Sequence, residues 1–209
     1  LPFSINNFSS YADFLASLIF AHLGLTKKVL VLDLDNTLWG GVIGDAGIDG
    51  IRIKIGDPLG EAFLDFQKYC KMLSNRGIVL CVCSKNNIKL AKEPFEKLLH
   101  LPLSIDDFIV FKANWSNKAD NLKEIALTLN LGLESIVFVD DNPAEREIIR
   151  QSLPMVSVPE IGSDPSLYPL IISEAGYFSS IRFSDSDKNR IKDYKANIDR
   201  ENLKKQSIN

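Results

Sequence analysis

The run Lys28-Val29-Leu30-Val31-Leu32-Asp33-Leu34 is apolar at four successive positions, Val29 to Leu32, without the alternation of a half-buried strand, and then turns acidic. A strand of that kind has both faces covered, as strands inside a parallel sheet flanked by helices do. Comparable runs recur at Ile78 to Cys83, Phe108 to Lys112 and Ser135 to Val139. Between them lie segments with apolar residues at helical spacing: Glu61 to Arg76, closed by Gly77, then Ile88 to Leu99 and Lys118 to Leu129. This rhythm predicts an α/β fold, doubly wound and mostly parallel, with helices on both faces.

The flanking segments are predicted to be appendages. Tyr11 to Leu25, after Ser9-Ser10, has helical spacing and is expected to pack on the sheet. Seven glycines from Gly40 to Gly60, with alternation at Ile51, Ile53 and Ile55, predict tight turns and a small hairpin, a flap beside the site. A helix is expected around Leu167 to Ala175, followed by a charged, solvated helical tail. The resulting division is an N-terminal helical extension (1–26), a catalytic core (27–160, flap about 39–60) and a C-terminal helical extension (161–209), a size that suits one catalytic unit.

Composition removes several function classes. A net charge of -3 argues against a nucleic-acid partner, whose backbone calls for clustered excess Lys and Arg. The stretch Phe14 to Leu25 is too short to span a bilayer and is interrupted by Ser17 and His22, so no membrane anchor is expected. Cys70, Cys81 and Cys83 show neither a disulfide framework nor zinc spacing and suit a reducing cytoplasm. The chain opens at Leu1, compatible with a domain cut from something longer.

In an open parallel sheet, function gathers at the carboxyl ends of strands. The first strand ends in Asp33-Leu34-Asp35-Asn36-Thr37, two carboxylates that can face one pocket, one to attack and one to shuttle a proton. Such a pair repels itself unless a cation screens it, and Mg²⁺, which prefers oxygen ligands, fits. The strand Val137-Phe138-Val139 ends in a second acidic pair, Asp140-Asp141, whose plainer reading is an Asx turn before a helix. Ser84, at a third strand end, offers a hydroxyl to phosphate oxygens, though alone it reads as a helix cap. Lys118 heads a predicted helix, where a cation opposes the helix dipole unless an anion is held there. Trp39-Gly40-Gly41 directly follows the first motif and reads either as a packed aromatic with turn glycines or as a pocket wall.

In order along the chain, Asp33 to Thr37, Ser84, Lys118 and Asp140-Asp141 resemble the four motifs of the haloacid dehalogenase (HAD) superfamily. A narrower likeness runs through Val29 to Gly44, Cys83-Ser84-Lys85-Asn86 and Phe138 to Arg146, and continues at Ala175-Gly176-Tyr177-Phe178; in these the chain resembles the FkbH-like family. The resemblance implies a HAD-like (Rossmannoid) sheet with a minimal cap and Mg²⁺ as cofactor. It implies Asp33 as nucleophile and Asp35 as general acid and base, with Asp33, Asp35, Asp140 and Asp141 around the metal, the choice between the last two left open. Thr37, Trp39, Gly40, Gly41, Ser84, Lys85, Asn86 and Lys118 would bind substrate and its phosphate.

Members of that family are associated with polyketide assembly lines, where they dephosphorylate 1,3-bisphosphoglycerate and load a glyceryl unit onto the phosphopantetheine thiol of an acyl carrier protein. The resemblance thus implies a three-carbon acyl phosphate as substrate and a carrier protein as partner, and is consistent with the chain being one domain of a modular synthase. Cys83, next to Ser84, is placed to accept the acyl group, although strand alternation and the usual burial of free cysteine argue for packing instead. A plain phosphatase acting on a small phosphorylated metabolite, and a non-catalytic docking module, are the competing expectations.

Overall fold

The structure, a computed structural model, describes residues 26–179 throughout, together with 11–12, 15–16, 18–19, 22–23, 191–197 and 200. Four strands form one sheet: β1 (Val29–Leu32), β2 (Val79–Ser84), β3 (Phe108–Ala113) and β4 (Ile136–Val139). Their order is β3-β2-β1-β4 and every pairing is parallel. A parallel bridge between Val137 and Ser157 adds one more extended residue beside β4.

Parallel neighbours cannot be joined by tight hairpins, and the crossovers here carry helices. Between the strands lie α1 (Ile43–Gly50) and α2 (Pro58–Asn75), α3 (Ile88–Lys97) and α4 (Lys118–Leu129), and after β4 come α5 (Pro143–Ser152) and α6 (Tyr168–Glu174). Successive strand residues point to opposite faces. Leu30, Leu32, Leu80, Val82, Val137 and Val139 pack with Phe63, Phe66 and Leu73 of α2, Phe95 of α3 and Ile172 of α6. Val29, Val31, Val79, Cys81, Cys83, Ile136 and Phe138 pack with Leu122, Ile125 and Leu129 of α4 and Ile149 of α5. Both faces are dry, which is why the strand runs read as unbroken apolar stretches. Each such side chain, fully buried, contributes on the order of 1.5–3 kcal/mol.

The flap differs from the expected hairpin. Gly40 and Arg52 do exchange antiparallel hydrogen bonds at 3.0 and 2.8 Å. Between them the chain coils into α1, which is broken at Gly47 (φ 64°). Ile51 and Ile53 sit in the core as the alternation implied, whereas Ile55 is exposed. The strand that would have paired with them is replaced by a helix whose Ile43 is itself buried.

Packing does not stop at residue 160. Ile161, Tyr168, Ile172 and Phe178 belong to the same cluster as Leu30, and Lys27 N donates to Tyr177 O at 2.9 Å. The helix expected over Tyr11 to Leu25 is helical at 11–12, 15–16, 18–19 and 22, but its packing lies outside the described residues, as does most of the charged tail. Among the described residues no helix is long and apolar enough to cross a membrane.

Candidate active site

β2 and β3 extend the sheet on one side of β1, and β4 lies on the other. The strand order therefore reverses between β1 and β4, and a crevice opens at their carboxyl ends. Leu32 is in register with Val139, and Asp33 N donates to Val139 O at 2.9 Å. The residues that follow the two strands, Asp33 and Asp140, are thereby brought side by side from distant parts of the chain.

Asp33, Asp140 and Asp141 place carboxylate oxygens within 4.8 Å of one another. Lys118 stands among them, itself only 3% exposed, with Nζ 2.6 Å from Asp140 Oδ2 and 3.1 Å from Asp33 Oδ1. It is the first residue of α4, directly after Asn117, whose side chain caps the helix by accepting from Ala119 N. A cation there opposes the helix dipole, and the two carboxylates supply the compensation. Burial alone would lower the Lys118 ammonium, but Asp33 and Asp140 carry it above its ordinary value.

Three carboxylates facing one ammonium leave a local excess of two negative charges. Asp33 Oδ1 is buried and its one near partner is the Lys118 ammonium, with no further hydrogen bond. An under-satisfied carboxylate oxygen, a set of hard oxygen donors and a deficit of two positive charges together fit a divalent cation such as Mg²⁺ or Ca²⁺. Asp35 stands outside this trio, in contrast to the expected four-acid set. Its Oδ1 accepts from Trp39 Nε1 (2.9 Å) and Ile43 N (3.1 Å), and its Oδ2 from Asn86 Nδ2 (3.0 Å). Burial raises the Asp35 carboxyl above its usual value, and those donors offset part of the rise.

The loop after β4 is strapped in place. Asp140 Oδ1 accepts from Asn142 N, Asp141 N donates to Thr37 Oγ1 at 3.2 Å, and the buried Arg146 donates to the carbonyls of Asp140 (2.8 Å) and Asp141 (2.7 Å). Arg146 pairs in turn with Glu160, which Arg150 also holds at 2.9 Å. Ser84 is buried at the tip of β2. Lys85, the next residue, reaches Glu145 of α5 at 2.6 Å, an ion pair that runs from the β2 side of β1 to the β4 side.

Trp39, expected as a pocket wall, is wholly buried against Phe95, with ring centroids 5.7 Å apart, and presents only its N–H, to Asp35. Gly40 is needed for packing, since a Cβ there would meet Phe63 at 3.0 Å and Arg52 at 3.1 Å, and Gly41 for its φ of +92°. Cys83 meets its structural alternative. It is fully buried in the cluster under α4, its Sγ lies 3.8 Å from Lys118 O, and burial pushes its thiol up to about 12. So enclosed and so weakly acidic a thiol fits the packing alternative.

Two contributors were not singled out from the sequence. Asn36 adopts φ 54° and accepts from Gly41 N at 2.7 Å, fastening the turn that carries Asp35; an Asn after a strand, ahead of glycines, is the signal for it. Arg146 supports the second acidic pair from the helix that follows, and its only signal was a basic residue five and six positions beyond those acids.

Burial, then Asp33 and Asp140, raises the Asp141 carboxyl to about 6 from 3.8, and burial and Asp33 raise Asp140 as well. The folded chain then binds protons that the unfolded chain does not, in the window between those values, so metal-free stability rises as pH falls through about 6. Thermal melts of metal-stripped protein should show a gain between pH 7 and 5 that Asp141→Asn diminishes. A gain of equal size in that variant would refute the assignment to Asp141.

No protein-family model matches the chain, and a search of curated proteins finds no match. Among solved structures, the N-terminal part of a Bacteroides fragilis protein, containing a phosphatase domain and complexed with Mg, is 46% identical over 86% of this chain, with a TM-score of 0.82. This chain covers 48% of that one, about half its length. Two others are distant. A chain from Vibrio cholerae described as a candidate 3-deoxy-D-manno-octulosonate 8-phosphate phosphatase is 15% identical (86% of this chain, 87% of that one, TM-score 0.45). A Legionella pneumophila chain described as a candidate hydrolase of HAD subfamily III A is 13% identical (96% and 100%, TM-score 0.46). Likenesses so remote carry no weight for the chemistry.

Proposed function

We propose that this chain, whose fold is the HAD-like α/β fold, is a magnesium-dependent phosphatase that uses Asp33 as nucleophile. The observation that carries the reading is the trio Asp33, Asp140 and Asp141 around the buried Lys118, three carboxylates facing one ammonium. The likeness to a Mg-complexed phosphatase domain supports it.

Bound by Asp33, Asp140 and Asp141, Mg²⁺ would supply positive charge against the phosphate oxygens. Lys118 Nζ adds a fixed charge in a dry site, where it acts more strongly than in water. An oxygen of Asp33 attacks phosphorus while the bond to the leaving oxygen breaks, and Asp35 gives that oxygen its proton. Water then attacks the aspartyl phosphate, Asp35 takes a proton back, and the Asp33 carboxylate is restored as phosphate departs. Phosphate release that requires Mg²⁺, stops with a chelator and is absent in Asp33→Asn is the test; release that persists in the chelator would sink the reading.

The resemblance to the FkbH-like family supports a finer reading, in which the substrate is a three-carbon acyl phosphate and the acyl unit passes to the phosphopantetheine thiol of a carrier protein. The enclosed Cys83 favours a direct route: the carrier's own thiolate attacks the acyl carbon as the C–O bond to the acyl phosphate breaks, and the ester phosphate at the far end is hydrolysed by the Asp33 cycle above, so that a glyceryl thioester and two phosphates result. Cys83→Ala should then leave both phosphate release and carrier loading within about twofold of wild type, because it removes only a packed sulfur. Intact-mass analysis of the carrier after incubation with Mg²⁺ and 1,3-bisphosphoglycerate reads this directly. A glyceryl mass that vanishes in Cys83→Ala would restore the cysteine relay, and an unmodified carrier beside released phosphate would leave a plain phosphatase. The unpaired thiols Cys70, Cys81 and Cys83 suit a cytoplasmic location.

A further inference from the structure

Three donors converge on Asp35, and they are divided unevenly. Oδ1 accepts two, from Trp39 Nε1 at 2.9 Å and Ile43 N at 3.1 Å; Oδ2 accepts one, from Asn86 Nδ2 at 3.0 Å. Each carboxylate oxygen offers two lone pairs in the carboxylate plane. Oδ1 is therefore fully used, and Oδ2 keeps one lone pair open. Building on the phosphatase reading above, we infer that Trp39 and Asn86, with the Ile43 amide, are positioning residues that make Oδ2 of Asp35 the single atom through which the proton is given and taken.

The anchor is stiff where it needs to be. Trp39 is 0% exposed, its ring lies against Phe95 at 5.7 Å, and its backbone forms a bridge with Asp35 itself. The residue after it, Gly40, is seated so closely on Phe63 and Arg52 that even a Cβ would be crowded. The indole therefore cannot follow Asp35 if the carboxylate turns. Without this anchor the terminal torsion of an Asp is broad and roughly two-fold, so the two oxygens exchange places easily. A proton placed on Oδ1 would be spent on no reacting atom.

The proton accounting then runs through one site. In the first half-reaction Oδ2–H passes its proton to the leaving oxygen as the Asp33–phosphorus bond forms and the bond to the leaving group breaks. In the second, Oδ2 takes a proton from water as the water oxygen bonds to phosphorus and the Asp33–phosphorus bond breaks. Phosphate ester and water have become alcohol and phosphate, and Asp35 is again protonated.

Trp39→Phe keeps a ring against Phe95 and deletes the donor alone. The probe is p-nitrophenyl phosphate, whose leaving phenolate needs no proton, so the first half-reaction survives and the second is slowed. The variant should show a burst of p-nitrophenolate stoichiometric with enzyme, then steady turnover lowered about tenfold or more, a part of the roughly 10²–10⁴-fold that general acid–base catalysis supplies, with KM little changed. Acid quenching should trap the variant as its phosphoryl-enzyme. Asn86→Ala, which removes the Oδ2 donor from a different loop, should give a burst of the same kind and decides the matter if Trp39→Phe fails to fold by thermal melt. Turnover at the wild-type rate, or slower turnover without a burst, overturns the positioning role. Wild-type turnover that does not depend on Asp33 overturns the phosphatase reading itself, and the inference with it.

Discussion

Asp33→Asn is expected to lower kcat by about 10⁴-fold or more, the scale on which losing a nucleophile is felt, while the protein stays folded. The substitution keeps the shape and one oxygen but removes the charge that attacks. Structurally it is cheap, because Lys118 retains Asp140 at 2.6 Å and the crowd of carboxylates loses a member. Asp33 is among the causes that raise both Asp140 and Asp141, so each should fall toward its ordinary value in the variant. Metal-free Asp33→Asn should therefore melt no lower than wild type at pH 7. Turnover above about a tenth of wild type, measured as phosphate release, would place the nucleophile elsewhere.

Lys118→Met should be damaging in a different way. The ammonium is 3% exposed and lies between Asp33 and Asp140. Removing one partner from a buried ion pair typically costs about 3–5 kcal/mol, because the remaining charge is left without compensation. For a domain of this size that corresponds to a fall in melting temperature on the order of 10 °C. Mg²⁺ binding to the folded state should restore part of it, by about 2.7 kcal/mol at a hundredfold excess over Kd. Differential scanning calorimetry with and without Mg²⁺ reads both quantities. An unchanged melting temperature would mean that the carboxylates take up protons rather than lean on the lysine. Activity should fall as well, since the phosphate loses a fixed positive charge.

Which parts of this were legible in the sequence follows from the physics of each element. The strands announced themselves because burial on both faces leaves no polar interruption, and α4 begins at Lys118 as its periodicity implied. Cys83 could be read from the sequence either as an acyl acceptor or as packing; in the fold it shares a face with Val79 and Cys81, under α4. The acidic pairs were visible as residue types, but that Asp33, Asp140 and Asp141 form one set while Asp35 is held beside it by Trp39, Ile43 N and Asn86 depends on tertiary contacts. Contacts between distant parts of the chain leave little trace in composition. The flap was misread for a related reason. Its glycines and alternating isoleucines satisfy a hairpin, whereas the intervening residues form α1, which buries Ile43. Arg146 acts through backbone carbonyls, which have no sequence identity to be read.

The reversal of strand order has a consequence for how the chain acquires its site in time. β2 and β3 can join β1 progressively, but β4 must return to β1 from roughly a hundred residues away, a closure whose entropic cost comes due before its contacts repay it. Asp33 waits on that closure for both Asp140 and Asp141, so during refolding the acidic trio cannot exist before β4 docks. Metal capture should consequently lag behind the burial of the aromatic residues around β1 and β2. A nascent chain still lacking β4 would carry its would-be nucleophile exposed and idle.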